Sequence, residues 1–70
     1  MSDRNPCINP QHGDRVTVAS ETREVENVNG DRVIYSWPGK VAVRTMYIDA
    51  WRAWTANATA FIAAEQAEAA

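Results

Sequence analysis

Six residues near the middle of the chain, Val28-Asn29-Gly30-Asp31-Arg32-Val33, constrain its fold more than any other stretch. Asn-Gly supplies positive φ at both central positions of a type I′ turn, and that turn matches the twist of two antiparallel strands. With a valine-bearing run on each side, the dipeptide predicts a hairpin. The neighbouring runs extend the pattern. Residues 14–19 alternate, with Val16 and Val18 on one face of a half-buried strand. Ser20, Glu21 and Thr22 make a polar turn, and a second strand over 23–28 carries Val25 and Val28. Their spacing breaks strict alternation, which predicts a bulge near Glu26-Asn27. A third strand over 31–37 sets Val33, Tyr35 and Trp37 on one face and Ile34 on the other. Pro38-Gly39 reads as a type II turn, Pro fixing φ and Gly accepting a positive one. A fourth strand, 41–47, carries Val41, Val43 and Tyr47 on one face and Ala42, Arg44 and Met46 on the other.

From Asp49 the period becomes helical. Asp49 is a suitable N-cap and its charge suits the positive end of the helix dipole. Trp51, Trp54, Ala58, Phe61 and Ile62 share one face, so a helix is predicted over 49–66, with residues 67–70 fraying. Residues 1–13, broken by Pro6 and Pro10, read as an irregular arm pinned by Cys7 and Ile8. The expected fold is α+β and mainly β. It is a four-stranded antiparallel small barrel over 14–48, with the C-terminal helix packed on it through Trp51, Trp54 and Phe61.

Composition supports a sheet core. The chain holds 12 alanines and no leucine, so its large apolar stock is Val, Ile and three Trp. Valine favours sheet and alanine favours helix. With 70 residues it forms one small domain, burying roughly 60% of its unfolded surface, too little for a deep cleft between domains. Cys7 is a lone cysteine, so no intramolecular disulfide can form, and the expected compartment is the reducing cytosol. No run of about 18 apolar residues is present to span a membrane. The polar start, Asp3-Arg4-Asn5, lacks the apolar segment of a signal peptide. A net charge of −2 disfavours non-specific nucleic-acid binding, though a local basic patch remains open.

The segment Gly13-Asp14-Arg15-Val16 opening a strand, then Asn29-Gly30, then a strand running into a helical turn, resembles SH3-like small barrels over about residues 13–54. KOW-type nucleic-acid modules and type II dihydrofolate reductases open similarly. The stretch Arg44-Thr45-Met46-Tyr47 shares only its tyrosine with the active-site segment of those reductases, so the resemblance does not imply reductase activity. The chain is also similar to short phage and prophage proteins in which a strand ends in a Trp-rich turn. The resemblance implies a small barrel serving as a binding module.

No residue set points to catalysis, a metal or a cofactor. His12 and Cys7 are two candidate ligands, far short of a four-ligand zinc site. Cys7 has Arg4 nearby but no helix N-terminus to activate it as a nucleophile. Glu21, Glu24 and Glu26 read as solvated charges that guard a strand edge. Asn57-Ala58-Thr59 matches a glycosylation sequon by chance, because it falls inside the expected helix. The informative residues are arginines and aromatics. Tyr35, Trp37, Arg44 and Tyr47 are the expected contacts of a protein partner, being types enriched in interface hot spots. The alternative is a nucleic-acid surface built from Arg15, Arg32, Arg44 and Arg52. Against both stands simple packing, with each arginine paired to a neighbouring acid, as in Asp14-Arg15, Asp31-Arg32 and Asp49…Arg52. Ala53, Ala56, Ala60 and Ala64 form a small-residue helix face that allows a homodimer, or that reflects helix propensity alone.

Overall fold

The structure is a computed structural model and describes residues 4–65. Its elements run β1 (Arg15–Val18), β2 (Glu21–Asn29), β3 (Arg32–Ser36), β4 (Val43–Tyr47), α1 (Ile48–Thr55) and β5 (Ala60–Ile62). The strands form one antiparallel sheet in the order β4-β3-β2-β1-β5. Among the described residues the fold is therefore mainly β, with the helix α1 and helical backbone again at Ala64 and Glu65. The sheet has five strands where four were expected and is not a closed barrel; among the described residues β4 and β5 are its edges.

Register follows the valines. Val16 lies opposite Arg23, Val25 opposite Tyr35 and Val28 opposite Val33. Val16, Val25, Val33 and Tyr35 are buried on one face, together with Cys7 and Trp51. Full burial of each valine is worth about 1.5–3 kcal/mol. The predicted bulge is present, as a register shift between Val25 and Asn27. It lets Val25 and Val28 both face the core although they are three positions apart.

The β2–β3 hairpin forms as expected, but its turn sits one residue later. Asn29 pairs with Arg32, which leaves Gly30 and Asp31 as the loop. Gly30 has φ +62°, whereas Asp31 has no positive φ. Positive φ at the first central position alone belongs to a type II′ turn. Pairing Val28 with Val33 fixes the midpoint between residues 30 and 31, so core register overrides the Asn-Gly preference. The pattern of a type I′ turn occurs instead at Ala19-Ser20 between β1 and β2, with φ of 48° and 76°. At Pro38-Gly39 the type II turn is as predicted: Lys40 N–H donates to the Trp37 carbonyl at 2.9 Å, and Gly39 has φ +83°.

The helix departs most from expectation. It is capped by Tyr47, not Asp49, with no side-chain cap bond, and it ends at Thr55. Asp49 lies in the first turn. Ala56 N–H bonds back to Ala53 and Ala58 N–H to Thr55, which tightens the chain into turns. Thr59 N–H then donates to the Thr17 carbonyl at 2.9 Å, and Ala60, Phe61 and Ile62 pair with Thr17, Val16 and Arg15. A helix of this length gains little from propensity alone, while the open edge of β1 offers backbone bonds to an extended strand. Phe61 is accordingly 44% exposed on β5 and does not anchor the helix. Trp51, fully buried, takes that role, with the Trp54 ring 5.4 Å away and tilted by 48°. Ala60 lies on β5 and Ala64 beyond it, so the four alanines do not form a helical face. The parts of the helix and tail expected beyond residue 65 fall outside the described residues.

Residues 4–13 contain no strand or helix but are bonded to the domain. The Pro6 carbonyl accepts from Trp51 Nε1 at 3.0 Å, the Cys7 carbonyl from Thr55 Oγ1 at 3.1 Å, and the Ile8 carbonyl from Arg52 Nε at 3.0 Å. Asp14, fully buried, closes the arrangement. Its carboxylate accepts from Arg4 Nη1 and Nη2, from Gln11 N–H and from Ala64 N–H. The expected Asp14–Arg15 pairing is thus replaced by Asp14–Arg4.

The turn at Ala19-Ser20 yields a prediction. An L-residue in the left-handed region costs roughly 1–2 kcal/mol unless it is Gly or Asn. The double substitution Ala19→Asn, Ser20→Gly is expected to raise stability by about 1 kcal/mol in urea denaturation. No gain in the unfolding midpoint would contradict the turn geometry.

Candidate functional site

The sheet sorts the sequence-expected contact residues onto different surfaces. Directly opposed residues share a face. Arg44 pairs with Tyr35 and Met46 with Val33, so both belong to the core face. Val43, Thr45 and Tyr47 pair with Ser36, Ile34 and Arg32 on the outer face. Arg44 and Tyr47 therefore project from opposite faces of β4. Tyr35 is only 8% exposed and packs in the core. Trp37 is half-buried, set edge-on to Tyr35 at 5.5 Å.

Around Tyr35 and Trp37 lies a cluster that the sequence reading did not assemble. The Arg23 guanidinium sits 3.9 Å from the Trp54 ring centre and 4.6 Å from that of Tyr35. Its Nε donates to Glu21 Oε2 at 2.9 Å, and Nη1 approaches Met46 Sδ at 3.4 Å. Glu21 also accepts from Trp37 Nε1 at 2.8 Å. Donation by Trp37, then by Arg23, holds the Glu21 carboxyl below its ordinary value. Alternation alone could have found Arg23, because it stands on the valine face of β2 opposite Val16. Its polar and cationic groups are engaged within the cluster, which marks it as packing rather than a binding surface.

The four arginines of the nucleic-acid reading do not converge. Arg15 and Arg32 lie on the outer face, Arg44 on the core face of β4, and Arg52 on α1 against the arm. Arg15 is 3.5 Å from Glu24. Arg32 covers the Tyr47 ring at 4.5 Å and donates to its hydroxyl at 3.0 Å. An exposed ion pair such as Arg15–Glu24 contributes little. Burial raises the pKa of the Cys7 thiol, with Thr55 acting against that shift, so little thiolate is available at neutral pH. The exposed His12 ring has Nδ1 2.5 Å from the Glu26 carbonyl. No group of three or more His, Cys, Asp or Glu is placed to hold a metal among the described residues, and no helix there is long and apolar enough to cross a membrane. An open cleft of about 490 Å³ lies between the arm, the β2–β3 turn and the helix start, lined in part by Arg4, Ile8, Ile48 and Arg52. Its two arginines already serve Asp14 and the Ile8 carbonyl.

What remains as a candidate contact surface is β4. It pairs with β3 on one side only among the described residues. Val43, Arg44, Thr45 and Tyr47 are exposed along it, and Val41 just before it is fully exposed. Arg44 is the single charge in the strand. Edges not used for pairing are ordinarily blunted by charge, proline or a bulge, and β4 has little of this protection. The chain matches no protein-family model, no curated protein and no solved structure.

The Glu21 bonds give a pH prediction. A depressed folded pKa means that the stabilisation is present above the unfolded value of about 4.3 and is lost as pH falls through the folded one. Wild-type protein is therefore expected to lose thermal stability on acidification below about pH 4. Glu21→Gln should start lower at neutral pH and fall less over the same interval. Parallel curves for the two proteins would contradict the assignment.

Proposed function

We propose that this chain is a non-catalytic protein-interaction module that receives an extended segment along β4. The observation carrying this reading is the edge itself, which has no second strand beside it among the described residues, with Val43 and Tyr47 about half exposed at its two ends. An extended peptide added to such an edge gains main-chain hydrogen bonds along its length, and alternate side chains supply selectivity. Arg44 and Tyr47 keep the contact role inferred from sequence, each toward its own face. Trp37 lies just beyond β3, and Tyr35 contributes by fixing the Arg23 cluster beneath.

The sheet order supports the SH3-like small-barrel resemblance as the finer reading of the fold. The first four strands form a meander, and the chain returns through a helix to pair its last strand with the first. In that reading the barrel is left open between β4 and β5.

Selection of random extended peptides on the immobilised protein tests the function. Selected peptides are expected to slow amide exchange across Val43–Tyr47 and to bind with little dependence on salt. The double variant Val43→Lys, Thr45→Lys should weaken them at least tenfold, because edge lysines oppose strand addition. Binders that protect other segments, or that tolerate both lysines, would overturn the reading. Oligonucleotide binding that collapses with rising salt would move the function to nucleic acid.

A further inference from the structure

We infer that the extended segment β4 accepts is β4 of a second copy of this chain, paired antiparallel about a two-fold axis centred on Thr45. This inference rests on the proposed role of β4 and names its partner. A two-fold axis standing perpendicular to the sheet keeps each residue on its own face, so a residue must meet one of the same alternation class. All five residues of the strand satisfy this as centres, but Val43 and Tyr47 lie at its ends and leave most of it unpaired. Centring on Arg44 sets two guanidiniums directly opposite each other, which is unfavourable. Centring on Met46 leaves Val43 without a strand partner and sets Arg44 against the start of the partner's helix. Centring on Thr45 pairs all five residues of Val43–Tyr47.

The pairs produced by that centre are favourable ones. Val43 stands opposite the partner's Tyr47, a β-branched residue against an aromatic, on the outer face. The partner's Thr45 meets Thr45 on the axis, where two hydroxyls can share a hydrogen bond. Arg44 meets the partner's Met46, so the single charge of the strand has no like charge directly opposite it. Both members of the outer-face pair are about half exposed in the single chain and lose water on pairing.

The flanks of the strand are complementary as well. Lys40 precedes it and is exposed, while the Asp49 side chain follows it at 95% exposure. Antiparallel pairing brings the basic flank of one copy beside the acidic flank of the other, and symmetry repeats the contact at both ends. The other sheet edge offers less, since β5 has three residues. An edge of this length buries less than the roughly 1,200 Å² of a stable interface, so the association is weak and depends on concentration.

Sedimentation equilibrium from low micromolar to about 1 mM provides the test. Wild-type protein is expected to move from monomer toward dimer mass over this range. Thr45→Lys, which sets two ammonium groups together on the axis, should remain monomeric with an unchanged thermal transition. Register is read by cross-linking. Thr45→Cys should form an intermolecular disulfide on mild oxidation, whereas Arg44→Cys should not, since its opposite residue is the partner's Met46. Monomer mass throughout with no Thr45→Cys cross-link overturns the inference. So does a dimer that Thr45→Lys leaves intact. If the chain stays monomeric while selected peptides still protect Val43–Tyr47, the self-pairing fails and the strand-receiving function stands. If neither occurs, both fail.

Discussion

The carboxylate of Asp14 is where the two ends of the described chain meet. It is fully buried and accepts both terminal nitrogens of Arg4, the Gln11 amide and the Ala64 amide. A buried carboxylate without partners is expensive to desolvate, and a bidentate arginine supplemented by backbone donors offsets that cost. The consequence is geometric. Arg4 anchors the arm over α1, and Ala64 holds the chain leaving β5 close to the start of β1. Gly13, next to Asp14, admits this closeness: a Cβ there would lie 3.1 Å from the Ala64 Cβ, and its φ is +92°. With β1 committed to β5, the opposite edge at β4 is the longer one left unpaired among the described residues.

Packing follows from this closure. Trp51 fills the core beneath the sheet and donates to the arm through its indole nitrogen, so burial of the largest side chain leaves no orphaned donor. Thr55 donates to the carbonyl of Cys7 one helical turn later. The short helix is held by these bonds and by its tryptophans more than by its own propensity. The Arg23 cluster completes the core near Met46, placing a cation between two aromatic rings and against Glu21. Guanidinium stacking on aromatic faces gives the half-buried end of the sheet a packed polar layer.

Local patterns made much of the sheet legible. Alternating valines gave the strand faces, the odd spacing of Val25 and Val28 gave the bulge, and Pro38-Gly39 gave its turn. The Asn29-Gly30 turn was legible only to within one residue, because the preference of a dipeptide yields to the pairing of Val28 with Val33. The end of the helix was not legible. Alanine-rich sequence favours helix, while the competing gain for Ala60–Ile62 comes from the edge of β1, more than forty residues away in the chain. Thr55, Asn57 and Thr59, poor helix formers interrupting the alanines, were the available sign. Of the expected contacts, Arg44 and Tyr47 remain exposed and Tyr35 does not, since composition marks a tyrosine as amphipathic without saying which side of a sheet it faces. Arg4 with Asp14 left no local trace, because the nearest charged neighbour of Asp14 in sequence is Arg15.

Amide hydrogen exchange of wild-type and Asp14→Asn protein tests the role of Asp14 most directly. An asparagine cannot receive Arg4 in bidentate fashion and presents a donor where acceptors are needed. The account predicts early and large loss of protection across Ala60–Ile62 and at Ala64, with the β2–β3 hairpin still protected. Unchanged exchange at Ile62 and Ala64, or equal loss in every strand, would contradict it.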